Sequence, residues 1–196
     1  MINSVPVVSN KSLTVRLAST RDVACIQAID SSATRKYGGI PELEDLATNQ
    51  EPLEKVQEWL QLGRVYLVED SQKPVGFVAA HMVDIAVLYI DEIAVLLEHQ
   101  GQGMGAMLLS AVFEWAMEEL GDNGNHCARV SLITYADVPW NGPWYRKHGF
   151  KEVKPEIIGP WHVDKMTVDA EERDLVRPGY RRCCMLWETK ASWNRP

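Results

Sequence analysis

Three closely spaced glycines in front of a predicted helix are the part of the sequence whose chemistry is easiest to interpret. A buried strand predicted over residues 87–96 leads to Gly101, Gly103 and Gly105, after which apolar residues recur at helical spacing. Glycine lets the backbone approach a ligand closely, and the first amides of a helix have no partners within it. With the positive end of the helix dipole, this pattern predicts a pyrophosphate site.

Two kinds of nucleotide ligand compete for such a site. Gly101, Gly103 and Ala106 satisfy the dinucleotide fingerprint G-x-G-x-x-G/A. That fingerprint usually lies in a first strand–helix unit and is followed about 20 residues later by an acidic residue that ends a strand. Here several elements precede the glycines, and the residues near Asp122 form a polar linker. The sequence therefore argues against a dinucleotide.

The other ligand is an acyl-CoA, and two motifs together favour it. Residues 100–105 (QGQGMG) resemble the Q/R-x-x-G-x-G/A motif of the GNAT superfamily of acetyl-CoA-dependent N-acetyltransferases. Residues 137–150 are similar to that family's late N…(F/W)-Y-x-x-x-G-F segment, at about the usual distance from the first motif. In element order the resemblance covers residues 12–153 and a last strand at 183–189. It implies that acetyl-CoA is a co-substrate bound by Ile93, Ala94, Val95, Gln100, Gly101, Gln102, Gly103, Met104, Gly105, Ala106 and Asn141.

The sequence departs from the family pattern at two positions. Gln100 stands where an arginine is commoner, so phosphate binding would depend on backbone amides. Val138 occupies the place, seven residues before the tyrosine, where many relatives have an asparagine, and Asn141 lies three residues later.

Acetyl transfer from a thioester to an amine makes three chemical demands. The amine has to lose a proton, the thioester carbonyl has to be polarised, and the departing thiolate has to be protonated. The resemblance implies that a backbone amide in the strand before the glycines polarises the carbonyl, with Val95 as the first candidate. It also implies that Tyr145 is the general acid beside the CoA sulfur.

Two adjacent carboxylates are candidates for the general base. Consecutive residues of a strand face opposite sides of a sheet, so we expect at most one of Asp91 and Glu92 to face the cleft. Spermidine/spermine-type relatives place their glutamate at Asp91, whereas other relatives favour Glu92. The choice stays open, as does a water that relays the proton.

Histidine and cysteine provide rival mechanisms. His99, in the glycine segment, and His81, at the end of a strand, could act as bases because the histidine pKa suits proton transfer. The other histidines are predicted to be surface residues, namely His126, His148 and His162. Because no cysteine lies in either motif, we expect direct transfer in a ternary complex rather than an acyl-enzyme.

The elements that position these groups are predicted from periodicity and turn residues. Strands are predicted at residues 13–17, 65–69, 75–82, 87–96, 130–134, 150–153 and 183–189, and helices at 19–35, 49–62, 103–120 and 144–147. Short polar connections between three of the strands predict an antiparallel meander. With the resemblance, this predicts an α/β, GNAT-like fold with a mixed, mostly antiparallel central sheet flanked by helices.

A single domain is expected over residues 12–196, after a flexible leader at 1–11. Residues 155–180 are predicted to be a loop with a helix near 168–175. Because long loops often act as functional lids, this insert is the expected source of acceptor specificity.

Composition excludes several classes of protein. The net charge of −7 and the lack of clustered Lys and Arg argue against nucleic-acid binding. No run approaches the roughly 20 apolar residues of a membrane span, and no export signal is evident, so we expect a cytoplasmic protein without membrane contact. The four cysteines lack the spacing of a zinc site, and no metal is expected.

The expected function is transfer of acetyl from acetyl-CoA to a primary amine, with a small molecule favoured as acceptor: an amino acid, polyamine, arylalkylamine or amino sugar. A protein acceptor, a non-catalytic CoA-binding regulatory module and a Trp-rich interaction domain are the alternatives. A homodimer is the expected form if the chain associates.

Overall fold

The computed structural model describes residues 12–83, 86–120, 127–171 and 175–189. A seven-stranded sheet has the order β1-β2-β3-β4-β5-β7-β6. The strands are β1 (Leu13–Leu17), β2 (Gly63–Asp70), β3 (Lys73–Val83), β4 (Val87–Val95), β5 (Arg129–Tyr135), β6 (Lys151–Val153) and β7 (Arg182–Glu188). The α-helices are α1 (Val23–Thr34), α2 (Leu53–Leu62), α3 (Met104–Leu120), α4 (Gly142–Lys147), α5 (Pro155–Ile158) and α6 (Pro160–Glu171). The predicted α/β fold with a mixed, mostly antiparallel sheet is confirmed; the predicted leader at 1–11 and His126 lie outside the described residues.

Helices cover both faces of the sheet because their apolar stripes match its buried side chains. On one face α3 packs through Leu108 and Val112, both fully buried. On the other face α1 and α2 pack Ile29 and Trp59 against Phe77 of β3. The central strands are therefore buried on both sides and form a rigid support for the residues at their ends.

The sheet opens between its two parallel strands. β4 and β5 pair only at Leu88 with Val130 and at Tyr89 with Ser131, although both strands continue for several residues beyond these pairs. The other neighbouring strands are antiparallel. The ends of β4 and β5 consequently diverge, and after Tyr89 the backbone of β4 has no partner on that side among the described strands.

Helix boundaries follow the local capping residues. Ser19 and Asp22 form a capping box, and a 3-10 turn at Thr20–Asp22 leads into α1, close to the predicted start. The helix predicted at 49–62 begins only at Leu53, because Pro52 precedes it in an extended conformation. The segment between α1 and α2 forms two 3-10 helices, Arg35–Gly39 and Pro41–Thr48, which periodicity does not predict.

The insert at 155–180 differs from the expectation. The helix predicted near 168–175 is wrong in position, since α5 and α6 occupy Pro155–Ile158 and Pro160–Glu171. Each of these helices starts with a proline, which suits a first helical turn because the amide there needs no helical partner. The prolines therefore mark helix starts rather than a loop. Among the described residues, no helix is long and apolar enough to cross a membrane.

Candidate active site

The divergence of β4 and β5 widens into a cavity of about 770 Å³. Residues of α1, α2, β4, the start of α3, α4, α6 and β7 line it. The predicted site residues that line it are Asp91, Glu92, Ile93, Ala94, Val95, Gln100, Gly101, Gly103, Met104, Gly105, Ala106, Asn141 and Tyr145. Gln102 does not line it, and its side chain donates to the carbonyl oxygen of Glu98 over 3.3 Å.

The glycine loop, residues 100–105, has the backbone that its sequence requires. Gly101 and Gly103 have φ values of +75° and +86°, a region that residues with a Cβ rarely adopt. A Cβ on either glycine would meet nothing within 4 Å, so open space lies in front of the loop. The first turn of α3 is anchored on this loop, because the amides of Ala106 and Met107 donate to the carbonyl oxygen of Gly103. The loop and the start of α3 therefore form a cradle in which an anion can bind.

We expect Gly103→Ala to weaken acetyl-CoA binding. A left-handed alanine costs about 1 kcal/mol, and relief of that strain would move the loop amides out of position. Calorimetric titration should show about a tenfold increase in Kd, the factor that about 1.4 kcal/mol represents. Gly39→Ala is the matched control, since Gly39 has open space and no positive φ; equal effects of the two changes would contradict this role of the loop.

A lysine far away in sequence supplies a positive charge beside the loop. The ammonium of Lys36 donates to Oε1 of Gln100 over 2.8 Å and lies 4.7 Å from the ring centroid of Trp140. Gln100 also donates to the carbonyl oxygen of Val95 over 3.0 Å. Burial lowers the pKa of Lys36, which favours a bound anion as its partner. Lys36, in the segment after α1, thus supplies the positive charge that an arginine at position 100 would carry.

The two motifs meet at the start of α3. A Cβ on Gly105 would lie 3.0 Å from Cζ2 of Trp144, so the absence of a side chain allows α4 to pack closely there. This contact holds Tyr145, the next residue of α4, at the cavity.

A β-bulge in β4 decides where the carboxylates lie. Glu92 is opposite Ala79, but the next register pair joins Ile90 to Ala80, so Asp91 is an extra residue without an opposite partner. A bulge of this type breaks the alternation of side chains along a strand.

The bulge places both carboxylates on the same face of the sheet. Before it, Leu88 and Ile90 pack in the cluster that contains α3; after it, Ile93 and Val95 do so. Asp91 and Glu92 therefore both lie on the face of the sheet that is turned away from α3, and both line the cavity. The expectation that at most one of them faces the cleft is wrong, because strict alternation does not hold across a bulge.

Glu92 lies in an environment that favours its protonated form. Burial raises its pKa well above the usual range, and the nearby carboxylates of Asp30 and Glu51 raise it further. Burial also raises the pKa of Asp30 to about 6; the hydrogen bond from the amide of Glu51 lowers it, and the charge of Glu51 raises it. A carboxylate with a raised pKa is a stronger base near neutral pH.

Asp91 has a different partner. Its Oδ2 atom is 2.6 Å from Nδ1 of His81, and both side chains are largely buried. The imidazole is further held by edge contacts with the rings of Tyr89 and Trp161. His81 is thus not simply a strand-end residue but the fixed partner of Asp91.

Tyr145 is buried, with 8% of its surface exposed, and makes edge contacts with Trp144 and Phe150. Burial raises its pKa well above 10, and the charge of Glu92 raises it further. The phenol therefore keeps its proton at neutral pH, as a general acid must.

Asn141 holds a neighbouring part of the site together. Its Nδ2 atom donates to the hydroxyl of Tyr37 over 2.9 Å, and burial raises the pKa of Tyr37 to about 12. Val138, where many relatives have asparagine, is fully buried against Leu43.

Two histidine predictions need correction. His162 is fully buried, and its Nε2 lies 2.8 Å from the hydroxyl of Ser131, so its prediction as a surface residue is wrong. His148 is half-buried, lines the cavity and contacts the carbonyl oxygen of Trp144 over 2.9 Å. His99 also lines the cavity, and no described residue makes a hydrogen bond with its buried Nδ1.

Sequence patterns do not identify several further residues that line the cavity. They are Asp30, Glu51, Lys55, Trp59, Lys165, Asp169 and Arg182. These residues lie in the segments around α1 and α2, in α6 and in β7, and no shared motif or spacing connects them. No cysteine lines the cavity.

A family model described as "Acetyltransferase (GNAT) domain" matches residues 61–152. The chain carries a GNAT acetyltransferase domain. The matched range extends from the end of α2 into β6 and so contains the bulge, the glycine loop and Tyr145. The protein is an acyl-CoA-dependent N-acetyltransferase with acetyl-CoA as its co-substrate, as the two motifs predict.

Solved structures share the fold of the whole described chain. The ribosomal-protein-S18-alanine N-acetyltransferase of Escherichia coli has a TM-score of 0.63 at 15% identity, covering 94% of this chain and 99% of that one. Rv2747 of Mycobacterium tuberculosis, in complex with CoA, has a TM-score of 0.62 at 21% identity, with coverage of 90% and 99%. N-acetylglutamate synthase of Neisseria gonorrhoeae, complexed with coenzyme A and N-acetyl-glutamate, has a TM-score of 0.61 at 15% identity. The match with the synthase covers 90% of this chain but only 35% of the synthase.

Proposed function

We propose that this GNAT protein acetylates the primary amine of a small molecule by direct transfer from acetyl-CoA. The observation that carries the proposal is the cavity of about 770 Å³, a size typical of small-molecule sites. The same space has to hold the thioester end of acetyl-CoA, which leaves room for a small acceptor.

The walls of the cavity also favour a small acceptor. Segments from several parts of the chain surround it: Tyr37 follows α1, Leu46 lies in the second 3-10 helix, Lys165 lies in α6 and Arg182 begins β7. A protein acceptor would need an open groove for the chain on both sides of the reacting amine. The insert, with α6, supplies part of the wall and is thus a source of acceptor specificity.

The residues at the glycine loop fit the pyrophosphate of acetyl-CoA. Open space in front of Gly101 and Gly103, the positive end of the α3 dipole, and the ammonium of Lys36 together favour a bound anion. Asn141 keeps Tyr37 and the start of α4 together beside this cradle.

We assign the chemical steps to residues that line the cavity. Glu92 accepts a proton from the substrate ammonium, and the amine then attacks the acetyl carbon. A C–N bond forms as the C–S bond breaks, and the departing thiolate takes the phenolic proton of Tyr145. The second proton of the attacking nitrogen then passes to the Tyr145 phenolate, and Glu92 releases the first proton to solvent. Amides of β4 after the bulge, with Val95 as first candidate, polarise the carbonyl, since that edge of β4 has no strand partner. No cysteine acts in this scheme.

Calorimetric titration with acetyl-CoA, with NAD and NADP as controls, followed by a thiol-release assay on a panel of amines and peptides, tests the proposal. We expect acetyl-CoA to bind, the dinucleotides not to bind, and at least one small amine to release CoA. If CoA is released with peptides but with none of the small amines, the proposal of a small-molecule acceptor is overturned. Binding without turnover on any acceptor would favour a regulatory module instead.

A further inference from the structure

The cavity carries opposite charges on the two sides of the bulge in β4. Asp30 and Glu51, from α1 and the segment before α2, are close enough to Glu92 to raise its pKa. Arg182, at the start of β7, lines the same cavity together with Asp169. The acidic pair lies early in the chain and the pair of Asp169 and Arg182 lies late in it. The two pairs come together only at the cavity.

The acidic side is suited to a cation. Asp30 is 2% exposed and accepts a hydrogen bond from the amide of Glu51 over 3.3 Å. Repulsion among the buried carboxylates is relieved when a substrate ammonium lies between them. Trp59 is 4% exposed and lines this side, and its buried indole N–H has no hydrogen-bond partner among the described residues.

The basic side keeps an excess positive charge. Lys165 donates to Oδ1 of Asp169, and Arg182 donates to Oδ2 of the same carboxylate over 2.9 Å. The carboxylate of Asp169 is therefore shared by two cations, and the three side chains together carry a net charge of about +1.

Arg182 has donor capacity that the protein does not use. Its Nη2 donates to Asp169 and, over 3.4 Å, to the carbonyl oxygen of Ile133, and the guanidinium lies 4.9 Å from the ring centroid of Tyr135. Its Nε is buried and has no hydrogen-bond partner within the part of the chain that the structure describes, and 14% of the side chain remains exposed. A guanidinium with spare donors binds a carboxylate through two parallel hydrogen bonds.

We infer that the acceptor is an amino acid whose amine lies at the carboxylates of Asp30 and Glu92 and whose carboxylate binds Arg182. This inference rests on the proposed acetylation of a small amine and adds its chemical class. Arg182 acts as a specificity determinant that binds the substrate away from the reacting bond.

The test compares each amino acid with the amine that remains when its carboxylate is removed, such as tryptophan with tryptamine, leucine with isopentylamine and phenylalanine with phenethylamine. In the wild-type protein we expect kcat/KM to be about 10- to 100-fold higher for the amino acid of the preferred pair, the range expected for hydrogen bonds to a charged group. Arg182→Gln should remove this preference by lowering kcat/KM for the amino acid far more than for the amine, so that the ratio of the two values falls to about 1.

Arg181→Gln is the matched control. Arg181 is the neighbouring residue, is exposed and pairs with Glu152, so its loss should leave the preference unchanged. If Arg182→Gln does not fold, the wild-type comparison still decides, because equal or better acetylation of the decarboxylated amines overturns the inference while the proposed function stands. Failure of all amino acids and all amines, in protein that binds acetyl-CoA, overturns the proposed function and the inference with it.

Discussion

Replacing Tyr145 with phenylalanine is expected to lower kcat about 10²-fold, the usual effect of losing one proton-transfer group. The change removes only the hydroxyl, so the contacts of the ring with Trp144 and Phe150 remain. Steady-state kinetics at saturating acetyl-CoA, with calorimetry for acetyl-CoA affinity, should show a loss in kcat with little change in Kd.

The raised pKa of Tyr145 is consistent with this role. Burial keeps the phenol protonated, and burial also raises the pKa of thiols, as it does for Cys183 and Cys184, to about 11 and about 12. A CoA thiolate formed beside the buried phenol is by the same effect a stronger base than in water and can take the phenolic proton. Tyr66→Phe is the control, because Tyr66 lies in β2 away from the cavity. An unchanged kcat in Tyr145→Phe would remove this residue from the chemistry.

Glu92→Gln is expected to lower kcat/KM by about 10²- to 10³-fold, within the range for a lost general base. Asp91→Asn should have a smaller effect, because His81 already occupies Oδ2 of Asp91. A larger loss in Asp91→Asn than in Glu92→Gln would transfer the role of base to the Asp91–His81 pair.

The pH profile separates the two assignments. Glu92 acts as a base in its ionised form, and its pKa lies well above the usual range of a carboxyl group. Activity should therefore fall as the pH decreases through this raised pKa. Glu92→Gln should abolish this limb of the kcat/KM profile. Asp30→Asn should move the limb to lower pH without removing it, because the charge of Asp30 raises the pKa of Glu92. A limb that stays in place in both variants would place the base elsewhere.

Local sequence determines much of the cofactor side of this GNAT protein. The glycine loop, the strand before it and the helix after it are contiguous in the chain, and positive φ values at Gly101 and Gly103 follow from the residue type alone. Tyr145 lies in a short segment whose spacing identifies it. Seven strands and the main helices are found from periodicity, since each buries one face or stripe.

The charged residues around the cavity depend on contacts that cross the fold. Lys36 approaches Gln100 although 64 residues separate them, and Arg182 joins Asp169 and Glu92 only after the sheet has formed. No local pattern encodes such pairs, because each side chain by itself is an ordinary surface or strand residue.

The sequence by itself determined the α/β fold class, the acetyl-CoA motifs and the identities of the candidate acid and bases, because these are properties of contiguous segments. Only the tertiary structure decided the orientation of the bases. One extra residue in β4 relative to β3 places Asp91 beside Glu92 on one face, and that register is set by pairing between strands. The charges around the cavity were likewise decided by packing, since they arise where α1, α6 and β7 meet the diverging strands.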